Sequence, residues 1–204
     1  MKFFKENSYD VVKLLVDQIG MAIFSMALYT AASMALPQDF EHGATIRLVI
    51  SIISSLFYFV ILYMVTWELG AKDRIRIDSG RMERQPMKGF LLELLANVPN
   101  LVIAVIALIV GGAYILGAPE GFNVAFGLIH SFIVFIESMY TGVASIIFQI
   151  SDDMSDAAVS AAYMWRTVVF ALMTVFSMLA AHLGYLLGER NFKISSVFSG
   201  KKNK

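Results

Sequence analysis

The sequence predicts an all-α, polytopic integral membrane protein, a helical bundle of about five hydrophobic helices. Three observations carry this expectation. Of the 204 residues, 58% are hydrophobic and only 16% charged, whereas a soluble domain is roughly 45–50% apolar and about 25% charged. The charges bunch between apolar runs instead of recurring at the helical or strand period of a soluble surface. Each run is long enough to cross roughly 30 Å of hydrocarbon at about 1.5 Å per residue. The runs are apolar at every position, not every second one, which excludes a transmembrane β-barrel. A lipid-exposed backbone must satisfy its own hydrogen bonds, so the runs read as helices.

The first run spans about 14–36 and is stopped by Pro37. Lys2, Lys5 and Ser33-Met34-Ala35 resemble parts of a cleaved leader, but Asp17 and Gln18 interrupt the approach, so the run reads as a retained helix. The second spans about 47–67 and the third about 89–117, with an amphipathic start and Pro99 as a kink or a break. The fourth spans about 122–150, and the fifth about 167–188, with an amphipathic lead-in from Ala157. Between the second and third lies a basic loop, 70–88, and a basic tail occupies 189–204.

Basic residues fall before the first run, in the 70–88 loop and in the tail, with only Arg47 and Arg166 elsewhere. Lys and Arg are retained in the cytoplasm, so the N-terminus and the loop are expected inside. The expected location is the cell (inner) membrane. Five simple crossings would export the basic tail. One topology obeys every charge: the fourth run enters and leaves on the outer side as a re-entrant hairpin, with its tip at Glu137-Ser138-Met139-Tyr140-Thr141-Gly142. The simpler reading, a single tilted helix, is the commoner arrangement and is preferred here.

On a single helix, His130, Glu137, Ser138, Thr141, Ser145 and Gln149 lie on or near one face. A charged carboxylate at bilayer centre costs about 2.5–3.5 kcal/mol on insertion scales. Glu137 must therefore be protonated, paired or facing water, and its expected partners are His130, Arg166 and His182. This face is either a polar path or a seam of interhelical hydrogen bonds. Asp17 and Gln18 read as interfacial and water-reaching, Glu68 and Arg47 as anchors, Glu93 as solvated, and His182 as a packing residue. Small residues repeat every four positions at Ala180, Gly184 and Gly188, at Ala107 and Gly111, and at Ala113 and Gly117. They let helix backbones approach closely, within the chain or against a partner. Tyr9, Trp67, Tyr114, Tyr163, Trp165 and Tyr185 suit an interfacial belt.

Lysines and arginines equal aspartates and glutamates at sixteen each, so no basic excess points to nucleic acid. There is no cysteine, and the three histidines lack close acidic companions, so no metal site and no cofactor are expected. Gly142-Val143-Ala144-Ser145 only echoes a serine nucleophile motif, so no enzymatic activity is expected. Lys72, Arg74, Arg76, Arg81 and Arg84 are candidates for contact with anionic lipid or a cytoplasmic partner, with Gly80 offering a turn. Two functional readings follow. The first is a non-enzymatic membrane subunit or accessory protein that packs against partner helices, either a second copy or another membrane protein. The alternative is a small transporter or channel-like protein using the Glu137 face.

Overall fold

A computed structural model describes residues 2–35, 42–151 and 153–192, and all regular structure in it is helical. The elements are α1 (Lys2–Ala35), α2 (Gly43–Asp78), α3 (Lys88–Ile115), α4 (Gly121–Ile136), a short 3₁₀ turn (Ser138–Tyr140), α5 (Thr141–Ile147) and α6 (Asp156–Glu189). Four helices, α1, α2, α3 and α6, are each long and apolar enough to cross a membrane. Large apolar side chains lie exposed along them, among them Ile53, Ile109, Leu172 and Phe176. An outward apolar surface of this kind is suited to hydrocarbon rather than water.

The fourth run is not one tilted helix. It breaks after Ile136 and bends by 86° into α5. The break falls at the residues expected for a hairpin tip, although the second arm turns aside instead of running back. Pro99 lies inside α3, which continues across it. The 70–88 loop is shorter than expected, because α2 runs on to Asp78. The i,i+4 pairs Glu68–Lys72 at 2.7 Å and Arg74–Asp78 at 3.5 Å support this extra length. Gly80 then makes the turn, at φ +72°. The 37–41 part of the acidic connector, Asp152, and Lys193, Lys201, Lys202 and Lys204 of the tail lie outside the described residues.

The chain divides into two compact units. The first gathers Met1–Leu14, Phe59–Ala96 and Val175–Lys204. Its core includes Leu14, Leu62, Leu92, Ala181 and Tyr185. Here α2 and α6 meet through glycines: a Cβ on Gly184 would strike Tyr63 and Thr66, and one on Gly188 would strike Trp67. The repeated small residues of α6 thus serve packing within the chain. An ion-pair network joins the same elements. Asp73 accepts from Lys88 Nζ at 2.6 Å, from Tyr185 Oη at 3.1 Å and from Arg76 at 3.3 Å. Arg84 pairs with Glu189, whose carbonyl also accepts from Arg74.

The second unit gathers Leu15–Tyr58 and Asn97–Thr174. It contains all of α4, the 3₁₀ turn and α5, so the bent segment begins and ends within one unit. The four long helices instead each divide their residues between the two units. Gly111 lies against Phe126 and Met164 here, and Ala107 is fully buried.

Candidate functional site

The break at Glu137 organises the second unit. Glu137 N still donates to Ile133 O at 2.8 Å, closing α4, but its own backbone leaves the helical region at φ −100°, ψ 24°. Such a departure frees backbone groups, and inside a membrane these are tolerated only where protein buries them. Two serines of α2 do this. Ser51 Oγ and Ser55 Oγ both donate to Met139 O, at 2.6 and 3.0 Å. Ser138 Oγ donates to Ala22 O of α1 at 2.6 Å, which ties the turn to a second helix. Gly142 is not the hinge; it abuts the backbone of Arg47 and the side chain of Ser51, where a Cβ would collide.

The carboxyl of Glu137 is buried, at 2% exposure. Its Oε1 accepts from Gln18 Nε2 of α1 at 3.2 Å and from Asn100 Nδ2 of α3 at 3.0 Å. The same two donors also reach Asn97 Oδ1, at 3.2 and 3.4 Å. Two carboxamide nitrogens and two oxygens therefore form a closed square: Gln18 and Asn100 donate, Glu137 and Asn97 accept. Donors aimed at the ionised form stabilise it and offset part of its desolvation. Beside the square is a cavity of about 10 Å³ with Asn100, Glu137 and Thr174 as its polar lining, room for a single water molecule. The rest of its wall is apolar, including Phe132, Ile133 and Phe170.

The other expected site residues lie apart from this square. His130 Nδ1 is 3.1 Å from Thr167 Oγ1, and its ring packs among Phe126, Tyr163 and Phe170. Arg166 donates twice to Phe148 O, at 2.9 and 2.7 Å, and lies over the Tyr163 ring. His182 meets Phe90 edge-on. The square is thus built from neutral amides, not from the His130, Arg166 and His182 partners expected. Ser145 Oγ donates to Gly142 O of its own helix, Thr141 is half-buried, and Gln149 is exposed beyond α5. The break takes these residues off the single face that a continuous helix would have given them.

Two readings of polar residues on the approaches are corrected. Gln18 is 2% exposed, not interfacial. Glu93 is fully buried, not solvated. Asn97 and Asn100 flank Pro99 one turn apart, a pairing visible in the sequence as amides within an apolar run. Ser51 and Ser55 carried a comparable signal, polar residues at i,i+4 in the second run. Among the basic residues, Lys72, Arg74, Arg76 and Arg84 hold carboxylates of the chain itself, while Arg81 is exposed. Among the described residues no group of three His, Cys, Asp or Glu side chains is placed to hold a metal ion.

Fold and site together define a helical membrane protein with a buried carboxylate–carboxamide cluster at a broken helix. Compared with protein-family models, with curated proteins and with solved structures, the chain finds no match.

Proposed function

We propose that the chain is a small, non-enzymatic transport or channel-like membrane protein that works at the Glu137 break. One observation carries this reading: the fourth apolar segment stops being helical at the residue whose carboxyl is buried against amides from two other helices. Discontinuous helices and intramembrane ionisable residues mark ion and substrate paths in membrane proteins. Burial of a carboxylate is costly, and helix–helix glue would be achieved at lower cost by Ser or Asn alone. In this reading α1, α2, α3 and α6 cross the membrane and the α4–α5 arm re-enters from one side. The N-terminal segment, the 79–87 connector and the end of α6 then lie together on the cytoplasmic side of the inner membrane, as the positive-inside rule favours.

The test is flux through proteoliposomes loaded with a pH-sensitive or a Na⁺-sensitive dye, with an imposed membrane potential. Wild type should exceed protein-free vesicles, and Glu137→Gln should lose at least about tenfold of that flux, a barrier change of ~1.4 kcal/mol. Ser145→Ala, whose hydroxyl serves only its own helix, should match wild type. Wild-type vesicles no leakier than empty ones to either ion would overturn the reading.

A second reading, a membrane accessory subunit, is favoured by an apolar groove of about 520 Å³ lined by Ile23, Met26, Ala27, Thr30, Ala31 and Phe135. Small residues at Ala27 and Ala31 suit the close approach of a partner helix. Ala27→Leu with Ala31→Leu would fill the groove. In that reading the double variant loses its co-purifying membrane partner and leaves ion flux untouched.

A further inference from the structure

The square around Glu137 has a chemical property beyond holding a carboxylate in place. Its two donors are carboxamides, each carrying a hydrogen-bond acceptor as well as a donor group. Gln18 Oε1 is buried and has no hydrogen-bond partner. A half-turn of the Gln18 amide exchanges its oxygen and nitrogen. The oxygen then occupies the position 3.2 Å from Glu137 Oε1 that the nitrogen holds now. An ionised Glu137 is met by two N–H donors. A protonated Glu137 is met by one N–H donor, from Asn100, and by one acceptor, from Gln18. Asn97 Oδ1 keeps its Asn100 donor in both states and has its Gln18 donor only while Glu137 is ionised. Apart from this exchange, heavy atoms stay where they are.

Resting on the reading of Glu137 as the working site, we propose that the ligand taken up there is a proton, with Gln18 as the positioning residue that serves both protonation states. The step is Glu–COO⁻ plus H⁺ giving Glu–COOH. The new O–H donates to Gln18 Oε1, and the proton arrives from a water in the cavity beside Asn100, Glu137 and Thr174. Two N–H groups fill the near side of Oε1, so a metal cation would have to displace both, whereas a proton displaces only that of Gln18 and gains the Gln18 carbonyl oxygen as its acceptor. The backbone break is held by Ser51, Ser55 and Ser138, none of which changes charge. Neutralising Glu137 therefore leaves the fold's supports intact.

Groups from several elements face this equilibrium. The side chains meeting Glu137 from α1 and α3 are amides, and those across the cavity from α6 are Phe170, Ala171 and Thr174. Titratable or charged groups on the surrounding helices of the unit are Asp17 and Tyr29 on α1, Arg47 and Tyr58 on α2, Tyr114 on α3, His130 on α4, Tyr140 in the turn, and Asp156, Tyr163 and Arg166 on α6. His130 is engaged by Thr167 and Arg166 by the Phe148 carbonyl.

The experiment is a pH titration by infrared difference spectroscopy on the full chain in lipid nanodiscs, reading the carboxylic-acid carbonyl stretch between about pH 4 and 10, from the ordinary carboxyl range upward. Wild type should show a reversible band that is absent in Glu137→Gln. In Gln18→Met the midpoint should rise by about one pH unit, because the charged form loses the stronger hydrogen bond. Should Glu137→Gln fail to fold, the Gln18→Met shift alone assigns the band. A wild-type spectrum without a titrating carboxyl overturns the proton proposal, and so does a band that neither substitution moves. The flux reading fails separately: a titrating Glu137 in a protein that leaks no ions leaves the proton site standing and removes transport. Glu137-dependent Na⁺ flux without a titrating band does the opposite.

Discussion

Asp73 and Lys88 are both almost fully buried, with side-chain exposures of 3% and 5%, and lie 2.6 Å apart. Losing Lys88 takes from Asp73 its nearest cation and leaves it Arg76 and the Tyr185 hydroxyl, so the cost is at or below the about 3–5 kcal/mol of a fully stranded buried charge. Lys88→Met is therefore expected to unfold well below wild type in a detergent thermal melt, and Asp73→Asn combined with Lys88→Met should recover much of the loss. Glu137 behaves differently, because its partners are neutral amides: Glu137→Gln should melt within about 1 kcal/mol of wild type while losing function. At this scale the sequence reveals which residues are costly but not who meets them. Glu137 stands out as a carboxylate in an apolar run. Gln18 does not, because it lies near a charged N-terminal stretch that resembles an interface, and only packing shows it to be buried. The expected His130 and Arg166 partners were plausible by charge, but their own helix faces direct them to Thr167 and the Phe148 carbonyl.

Helices are legible here because apolar length and backbone satisfaction leave lipid-exposed segments few alternatives. The break in the fourth segment is less legible. Neither proline nor glycine sits at residues 137–140, so local propensity gives no signal. The turn exists because Ser51 and Ser55, distant in sequence, satisfy the Met139 carbonyl. Ser51→Ala with Ser55→Ala leaves that buried carbonyl without these donors, an expected loss of about 1–3 kcal/mol, read as a lowered melting temperature. The α2–α6 contact is a second element-scale feature. Gly184→Leu pushes a side chain into Tyr63 and Thr66, and overpacking of this kind costs typically about 1–3 kcal/mol. Its expected signature is a lower melting temperature with unchanged infrared behaviour of Glu137.

For the whole molecule, the placement of charge and the lengths of the apolar runs lead to different expectations. Five runs suggested five crossings, but keeping every basic cluster on one side required the fourth to return. In the structure that segment begins and ends in one unit, and the N-terminal stretch, the 79–87 connector and the end of α6 belong to the other. The chain has no cysteine, so single-cysteine labelling of inverted and right-side-out vesicles is free of background. Cysteines at Gly80 and Arg190 should react with a membrane-impermeant maleimide from the same side, and one at Leu116 from the opposite side. A label at Arg190 shared with Leu116 would restore the fifth crossing. The four-crossing arrangement proposed above also has a genetic consequence. With the first helix starting and the last helix ending in one unit, two copies of the gene can be joined head to tail by a short flexible spacer, with no added anchor to restore threading. Such a concatemer lets one protomer carry a lesion while its twin stays intact, which reports how many working copies an assembly requires.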